Sequence, residues 1–359
     1  MARIDSFLRL VVEQNASDLH FHTGNPPMVR FQGDLLVLPY RVLSPEDGKR
    51  FLYEILTPSQ RETFERELEL DFAYVVEDAG RFRVNVFMQT HGIGAVFRVI
   101  PDEVPSLESL NLPSVLRKLC AQQNGLVLLT GPTGCGKSTT LAAMIHEINA
   151  TSRRHILTIE DPIEFVHPSL KSVVTQRQVG VHALSFAAAQ RAALREAPDV
   201  MVIGEMRDYE TVSLALSAAE TGVLVFGTLH ANSASKAVDR VLSVCPEDTR
   251  DAVRAVLSVL LRGVLAQHLV KRITGDGRVA AIEVLLQNYG VSNMIRENKV
   301  HQLESMLRGA DAGASGMQSL DAALFSLVRG GLVSQDEALR FATQPEELRK
   351  RMPELTEEV

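Results

Sequence analysis

Tryptophan is absent from this chain and cysteine nearly so, with only Cys120, Cys135 and Cys245 among 359 residues. Thiols so few and so far apart exclude a disulfide framework and a four-cysteine zinc site. Aromatic residues make up 5% of the sequence, leaving little material for the stacking platforms that bind single-stranded nucleic acid. Positive charge is also scarce: 37 Lys and Arg against 44 Asp and Glu give a net charge of −7. The chain as a whole therefore carries no electrostatic footprint for nucleic acid, although a local basic groove is compatible with that total. Long apolar runs are missing too. The most continuous, Ala252 to Val270, is broken by Arg254, Arg262 and His268 and predicts a buried amphipathic helix rather than a membrane span. The opening residues, MARIDSFLRLVVEQN, place Asp5 and Arg9 inside any apolar segment and make a poor secretory signal, so a cytoplasmic location is expected. What remains is an ordinary soluble composition, 45% apolar, on a chain long enough for more than one domain.

The most informative stretch is Gly125 to Thr140, GLVLLTGPTGCGKSTT. Leu126 to Leu129 predict a strand buried on both faces, and Gly131, Gly136, Lys137 and Ser138 fit the pattern G-x-x-x-x-G-K-[ST] directly after it. Glycines in such a loop let backbone N–H groups turn toward phosphates with no Cβ in the way, and the following helix offers its positive N-terminal end. The whole loop, Gly131, Pro132, Thr133, Gly134, Cys135, Gly136, Lys137, Ser138 and Thr139, is expected to hold a nucleotide. Lys137 should reach the β- and γ-phosphates and Ser138 should place its hydroxyl on Mg²⁺, so ATP and Mg²⁺ are the expected cofactors.

Hydrolysis needs more: one carboxylate to orient or deprotonate water and a second to help hold the metal. Asp199-Val-Met-Val-Ile-Gly-Glu205 predicts an apolar strand ending in a carboxylate, at the edge where a parallel sheet presents its ligands. Glu205 is the metal candidate. Ile156-Leu-Thr-Ile-Glu-Asp-Pro-Ile-Glu164 is a similar strand ending in Glu160, Asp161 and Glu164. Three acids at one edge suit catalysis; acids that merely solvate the turn at Pro162 are the alternative reading.

Residues 1–100 predict a small α+β domain. Ile4, Leu8, Val11 and Val12 form one helical face, and Leu19 to Phe21 and Met28 to Phe31 predict short strands around the turn Gly24-Asn-Pro-Pro27. Ser44-Pro45 and Thr57-Pro58 each start a helix, a capping hydroxyl followed by proline at the first position. Strands follow over Glu69–Val76, Gly80–Gln89 and Gly94–Ile100. Alternation in the second puts Arg81, Arg83 and Asn85 on one face and Phe82, Val84 and Val86 on the other. His20 and His22 also share a strand face, which two histidines without a third ligand explain better as a half-exposed surface than as a metal site.

PDEVPSLESLNLP at 101–113 predicts a linker, because proline repeatedly removes helix and sheet options. The second domain spans 114–359. Short apolar strands at His155–Ile159, Ser172–Thr175, Val200–Ile203 and Val223–Thr228 alternate with helices at Lys137–Asn149, Phe186–Glu196 and Asp208–Glu220, the order of a RecA-like α/β domain with a mostly parallel sheet. Past Pro246 helices dominate, with one strand at Arg278–Leu286, and GADAGASG at 309–316 predicts a flexible break.

The phosphate loop, ILTIEDPIEFVH, ALREAPDVMVIGEMRD and AAETGVLVFGTLHANSA together resemble the secretion and type IV pilus ATPases, most closely the PilT retraction family. The resemblance covers nearly the whole chain: SDLHFHTGNPPMVR at 17–30 is similar to that family's PAS-like N-terminal domain, and GMQSLDAALFSLVRGGLVSQDEAL to its C-terminal region. It implies an α/β fold with a PAS-like α+β N-terminal domain, then a RecA-like P-loop ATPase domain with C-terminal helices. It implies a homohexamer with ATP between the two domains, hydrolysing ATP to retract pilus filaments. The implied partners are an inner-membrane platform protein and the pilus machinery, met at the cytoplasmic face of the inner membrane, with no nucleic acid and no membrane insertion. The resemblance marks Glu164 as the catalytic glutamate, Glu205 as the Walker B glutamate and His230 as the later His-box histidine. It marks Arg83 and Arg98 as the arginines that reach the γ-phosphate, a solvated strand face being the other reading of that pair.

Departures from the family pattern are specific. Val223 stands where the first His-box histidine is usual, and GVSNMIRE at 290–297 differs from the retraction motif AIRNLIRE at Gly290, Val291, Ser292 and Met294. Met294, Ile295 and Glu297 are expected on a short helix packed into the C-terminal bundle, with Asn293 and Arg296 as the candidates to face a partner. A tetracysteine insertion and an extra N-terminal domain, usual in assembly ATPases, are lacking, which favours retraction. The alternatives are an accessory or assembly motor, a nucleotide-gated scaffold with little turnover, and a nucleic-acid translocase on the same core. Glu164 and Glu205 argue against the scaffold, and scarce aromatics against the translocase.

Overall fold

Alternating residues in the N-terminal strands are buried and half-exposed in turn, as a sheet with one covered face requires. The computed structural model describes residues 2–352 apart from 32, 101, 102, 276, 310–312 and 314. The chain divides into two compact units, Met1–Glu103 and Val104–Val359. In the first, α1 (Asp5–Glu13), β1 (Asp18–His22), β2 (Met28–Phe31), β3 (Asp34–Val37), α2 (Pro45–Tyr53), α3 (Pro58–Glu67), β4 (Glu69–Val76), β5 (Gly80–Gln89) and β6 (Gly92–Ile100) follow one another. The six strands form one antiparallel sheet in the order β3-β2-β1-β6-β5-β4. Helices α2 and α3 begin at Ser44 and Thr57 with complete capping boxes, closed by Asp47 and Gln60. Leu8 and Val11 of α1 join Leu19, Phe21, Phe82, Val84 and Phe97 in one core with no exposure.

The opposite face of that sheet is polar, and its register aligns it in rows. Arg30 pairs across to Asp18, Asp18 to Arg98, and Arg98 to Arg83. Cross-strand partners share a face, so the two candidate arginines are neighbours. β3, which the sequence reading passed over, is an edge strand with Leu35, Leu36 and Val37 exposed.

The second unit begins with α4 (Leu116–Cys120), β7 (Gly125–Thr130), α5 (Lys137–Thr151), β8 (His155–Glu160), β9 (Val173–Gln178), α6 (Phe186–Ala193), β10 (Val200–Ile203), α7 (Tyr209–Glu220) and β11 (Leu224–Leu229). It continues with α8 (Ala234–Ser243), α9 (Arg250–Leu260), β12 (Leu261–Lys271) and β13 (Arg278–Leu286), then α10 (Tyr289–Arg296), α11 (Leu303–Arg308), α12 (Leu320–Arg329), α13 (Gln335–Phe341) and α14 (Pro345–Arg351). Seven strands make one sheet in the order β13-β12-β7-β11-β10-β8-β9, parallel except for β13. Leu126 and Leu128 of β7 point into the core under α7, α8 and α9, while Val127 and Leu129 point into the core under α4 and α5. β7 is thus covered on both faces, which is why it reads as an unbroken apolar run. Among the described residues no helix is long and apolar enough to cross a membrane.

The single helix expected over Ala252–Val270 is not what forms: α9 ends at Leu260, and Leu261 opens the long strand β12. Backbone pairing decides it. Leu261 and Gly263 to Ala266 pair with β7, and a helix there would strip partners from the β7 edge at about 1–3 kcal/mol for each buried group left unpaired. Intrinsic helix preference is worth less than ~1 kcal/mol per residue. Gly263 marks the crossing point, since a Cβ there would sit 3.0 Å from Leu119 Cδ2 and 3.1 Å from the Leu285 carbonyl. Half of the break expected at 309–316 falls on residues outside those described, as do Pro101 and Asp102 of the expected linker.

Candidate functional site

The loop after β7 is shaped by three glycines in the left-handed region, Gly131 at φ 147°, Gly134 at 75° and Gly136 at 84°. At Gly131 a Cβ would overlap the carbonyl oxygen of Gln267 on β12 and lie 2.6 Å from Cys135 Sγ, so the loop is pressed onto the neighbouring strand. Gln267 is buried and ties the two together: its Nε2 donates to the Cys135 carbonyl at 2.7 Å and its Oε1 accepts from Thr140 Oγ1 at 2.7 Å. Burial raises the pKa of the Cys135 thiol, so this cysteine serves as packing under the loop. Pro132, Thr133 and Gly134 form the exposed rim. Helix α5 follows Gly136 with no side-chain cap, leaving its first N–H groups, at Lys137, Ser138 and Thr139, to an anion. Lys137 Nζ stands at the mouth, donating to the carbonyls of Gly131 at 2.8 Å and Pro132 at 3.0 Å. These donors fit a polyphosphate.

Topology brings the acids to the same edge. Because β11 lies between β7 and β10, the strand ends carrying the loop, His230 and Glu205 lie side by side. Thr130 at the end of β7 exchanges hydrogen bonds with the backbone of Ala231, its hydroxyl donating to the carbonyl and accepting from the N–H at 2.8 Å each. Glu205 Oε2 accepts from Arg207 at 2.7 Å, and its Oε1 lies 3.5 Å from His230 Nε2. The Arg207 guanidinium, with smaller contributions from His230 and Lys137, holds the Glu205 carboxyl below its ordinary value against the opposing effect of burial. Glu205 is therefore an anion at neutral pH and sits within the field of Lys137.

The three acids after β8 are sorted by the turn. Glu160 points inward, where burial pushes its carboxyl above the usual range despite hydrogen bonds from Thr158, Gln176 and the Glu164 backbone. Asp161 and Glu164 are exposed. Glu164 is exposed between buried Ile163 and Phe165, four residues beyond the end of β8.

In the N-terminal unit Arg98 Nε contacts Asp18 Oδ1 at 2.8 Å, and Arg83 Nε lies 3.8 Å from Asp71. Asp18 is buried; burial alone would raise its carboxyl, but Ser17, Arg98 and His20 outweigh that and hold it below its ordinary value. The rings of His20 and His22 stack at 5.6 Å on the same face. No group of three metal-ligating side chains is found among the described residues.

Val223 packs into the main core, an apolar role in place of an imidazole. On α10, Val291 and Ile295 are buried and Met294 is partly buried against the same core. Glu297 corrects the expectation: it is exposed at the helix end and bonded to Lys299 at 2.7 Å. Arg296 is exposed and donates to Asn293 Oδ1 at 2.9 Å, while Asn293 donates to Glu297 at 3.0 Å. Gln267, Gln176 and Asp18 escaped the sequence reading. The one signal was a glutamine inside the apolar run LAQHLV, where a polar residue needs a reason.

A glycine loop between a buried strand and an uncapped helix, with carboxylates on the adjoining strand ends, defines a P-loop nucleotide-binding domain. The chain matches the family described as Type II/IV secretion system protein over residues 1–320, and it belongs to that family. It is 48% identical over 343 residues to the Type IV pilus retractation ATPase PilT of Pseudomonas aeruginosa, covering 96% of this chain and 99% of that one. It is 49% identical over 322 residues to a twitching motility protein of Neisseria gonorrhoeae, covering 90% and 86%. Among solved structures, the pilus retraction motor PilT with bound ADP aligns at a TM-score of 0.90 and 44% identity, covering 98% of this chain and 100% of that one.

Proposed function

We propose that the chain is the subunit of an ATP-hydrolysing hexameric motor that retracts type IV pilus-like filaments. The observation that carries this is the meeting of Lys137, Glu205 and His230 at one sheet edge, on a chain similar to retraction ATPases along nearly its whole length. The loop from Gly131 to Thr139 binds the phosphates, with Lys137 on the β and γ groups. Ser138 and Glu205 would hold Mg²⁺, and the bound ion would supply charge neutralisation for phosphoryl transfer. Glu164 orients and deprotonates the attacking water. His230, beside Glu205, fixes the orientation of that carboxylate. Six copies close a ring in which closure of one unit is felt by the next, and the ring works against a platform protein at the cytoplasmic face of the inner membrane.

Arg83 and Arg98 report the γ-phosphate. A guanidinium aimed at that group acts only when it is present, so Arg98→Ala and Arg83→Ala are expected to leave ADP affinity within about twofold. Each should weaken the preference for ATP about tenfold, the worth of one charge-assisted hydrogen bond. Equal loss of both nucleotides in a titration would point instead to damage to the N-terminal unit.

Retraction itself is tested at α10. Arg296 is exposed and donates to Asn293 of its own helix, so Arg296→Ala is expected to abolish filament retraction in cells while the purified ring keeps its ATPase rate and melting temperature. A strain lacking this chain that still retracts its filaments normally would remove the retraction role and leave an accessory one.

A further inference from the structure

The segment that carries Glu164 lies outside the strands, so its backbone polar groups need partners from elsewhere. They come from side chains of β9. Thr158 pairs across to Gln176 and Glu160 to Gln178 in the parallel register, which places these four side chains on one face. Gln176 Nε2 donates to the Phe165 carbonyl at 2.8 Å and to Glu160 Oε1 at 3.0 Å, while its Oε1 accepts from the His167 N–H at 2.8 Å. Glu160 Oε1 accepts from Thr158 Oγ1 at 2.6 Å as well, and Gln178 Oε1 accepts from the backbone N–H of Ile163 at 3.4 Å. Ile163, Phe165 and His167 are buried beneath.

We infer that Gln176 is a positioning residue for hydrolysis: it holds the main chain just beyond Glu164, at Phe165 and His167, while Glu160 fixes its amide, and so it aims the Glu164 carboxylate. This rests on the reading of Glu164 as the base. Glu160 itself is unsuited to that task, because its carboxylate is engaged by Thr158 and Gln176. Among the described residues, these side chains make no hydrogen bond to the phosphate loop, so the clamp acts on the chemical step and leaves nucleotide binding alone. A displacement of about 1 Å in a reacting group is enough to lower a rate on the order of 100-fold, and an exposed acid on an unclamped turn would move at least that far.

Gln176→Met keeps the length and bulk of the side chain and removes all three bonds. It is expected to lower kcat for ATP by about 10–100-fold while KM for ATP and the Kd for ADP stay within about twofold, the pattern of an interaction that matters only in the transition state. In a Glu164→Gln background the same change is expected to cost less than about twofold, since the residue it aims is already gone. Should Gln176→Met fold poorly, Gln176→Glu serves: it keeps the acceptor for His167 and sets a second carboxylate beside Glu160, so its rate relative to wild type is expected to recover as pH falls and that pair takes up a proton. A wild-type kcat in Gln176→Met, an equal fold-loss in both backgrounds, or a Gln176→Glu deficit that ignores pH would each overturn the proposal. Wild-type turnover by Glu164→Gln alone would instead bring down the reading of Glu164 on which it stands.

Discussion

Glu164→Gln is expected to bind ATP as tightly as the unaltered chain and to hydrolyse it at least ~100-fold more slowly, a loss of about 2.7 kcal/mol in transition-state stabilisation. The amide fills the same space and cannot take a proton. Lys137→Ala should fail one step earlier, at binding, because its ammonium stands at the mouth of the loop, 2.8 Å and 3.0 Å from the Gly131 and Pro132 carbonyls. Nucleotide titration and steady-state turnover on the same samples separate the two. If Glu164→Gln turned over at the normal rate, the role would pass to Asp161, the other exposed acid of the turn.

Gly131→Ala is expected to abolish nucleotide binding and to destabilise the fold by about 2–6 kcal/mol. Two effects combine: a backbone at φ 147° that side chains rarely adopt, worth about 1–3 kcal/mol, and a methyl driven into the Gln267 carbonyl and to 2.6 Å from Cys135 Sγ, an overpacking of about 1–3 kcal/mol. Neither neighbour yields easily, since one is backbone in the middle of a sheet. Gly134→Ala is the control. Its φ of 75° carries strain, but nothing lies within 4 Å of the added methyl, so the loss should stay near 1 kcal/mol. Denaturant midpoints of the two variants measure the difference, and equal losses would mean that the close approach to β12 does not matter.

The parts legible in the sequence were those in which local pattern and tertiary demand coincide. β7, β10 and β13 read as they form because four or more apolar residues in a row, bounded by turn residues, suit a strand covered on both faces. Capping hydroxyls before Pro45 and Pro58 placed two helix starts to the residue. Alternation in β5 set Arg83 apart from Phe82 and Val84. Where the outcome depended on a distant partner, the pattern was silent. β12 is a strand because the edge of β7 needs pairing, a fact about residues more than a hundred positions upstream. Glu160 and Glu164, four apart at the end of one strand, looked alike until the turn left one half-buried and the other exposed. The anchoring of the loop by Gln267 and of the turn by Gln176 rests on side-chain geometry for which spacing has no signature.

β12 has a mechanical consequence. At one point it holds the phosphate loop through Gln267, and four residues on, about 13 Å along an extended strand, the Lys271 N–H donates to Glu337 of α13 at 3.0 Å. Between those points the strand is paired with β13 residue by residue, so it neither stretches nor bends cheaply. It works as a tie rod: a shift of the loop on exchange of one nucleotide for another is passed to the C-terminal helices with little slack, and their stiffness becomes part of the load that hydrolysis must move.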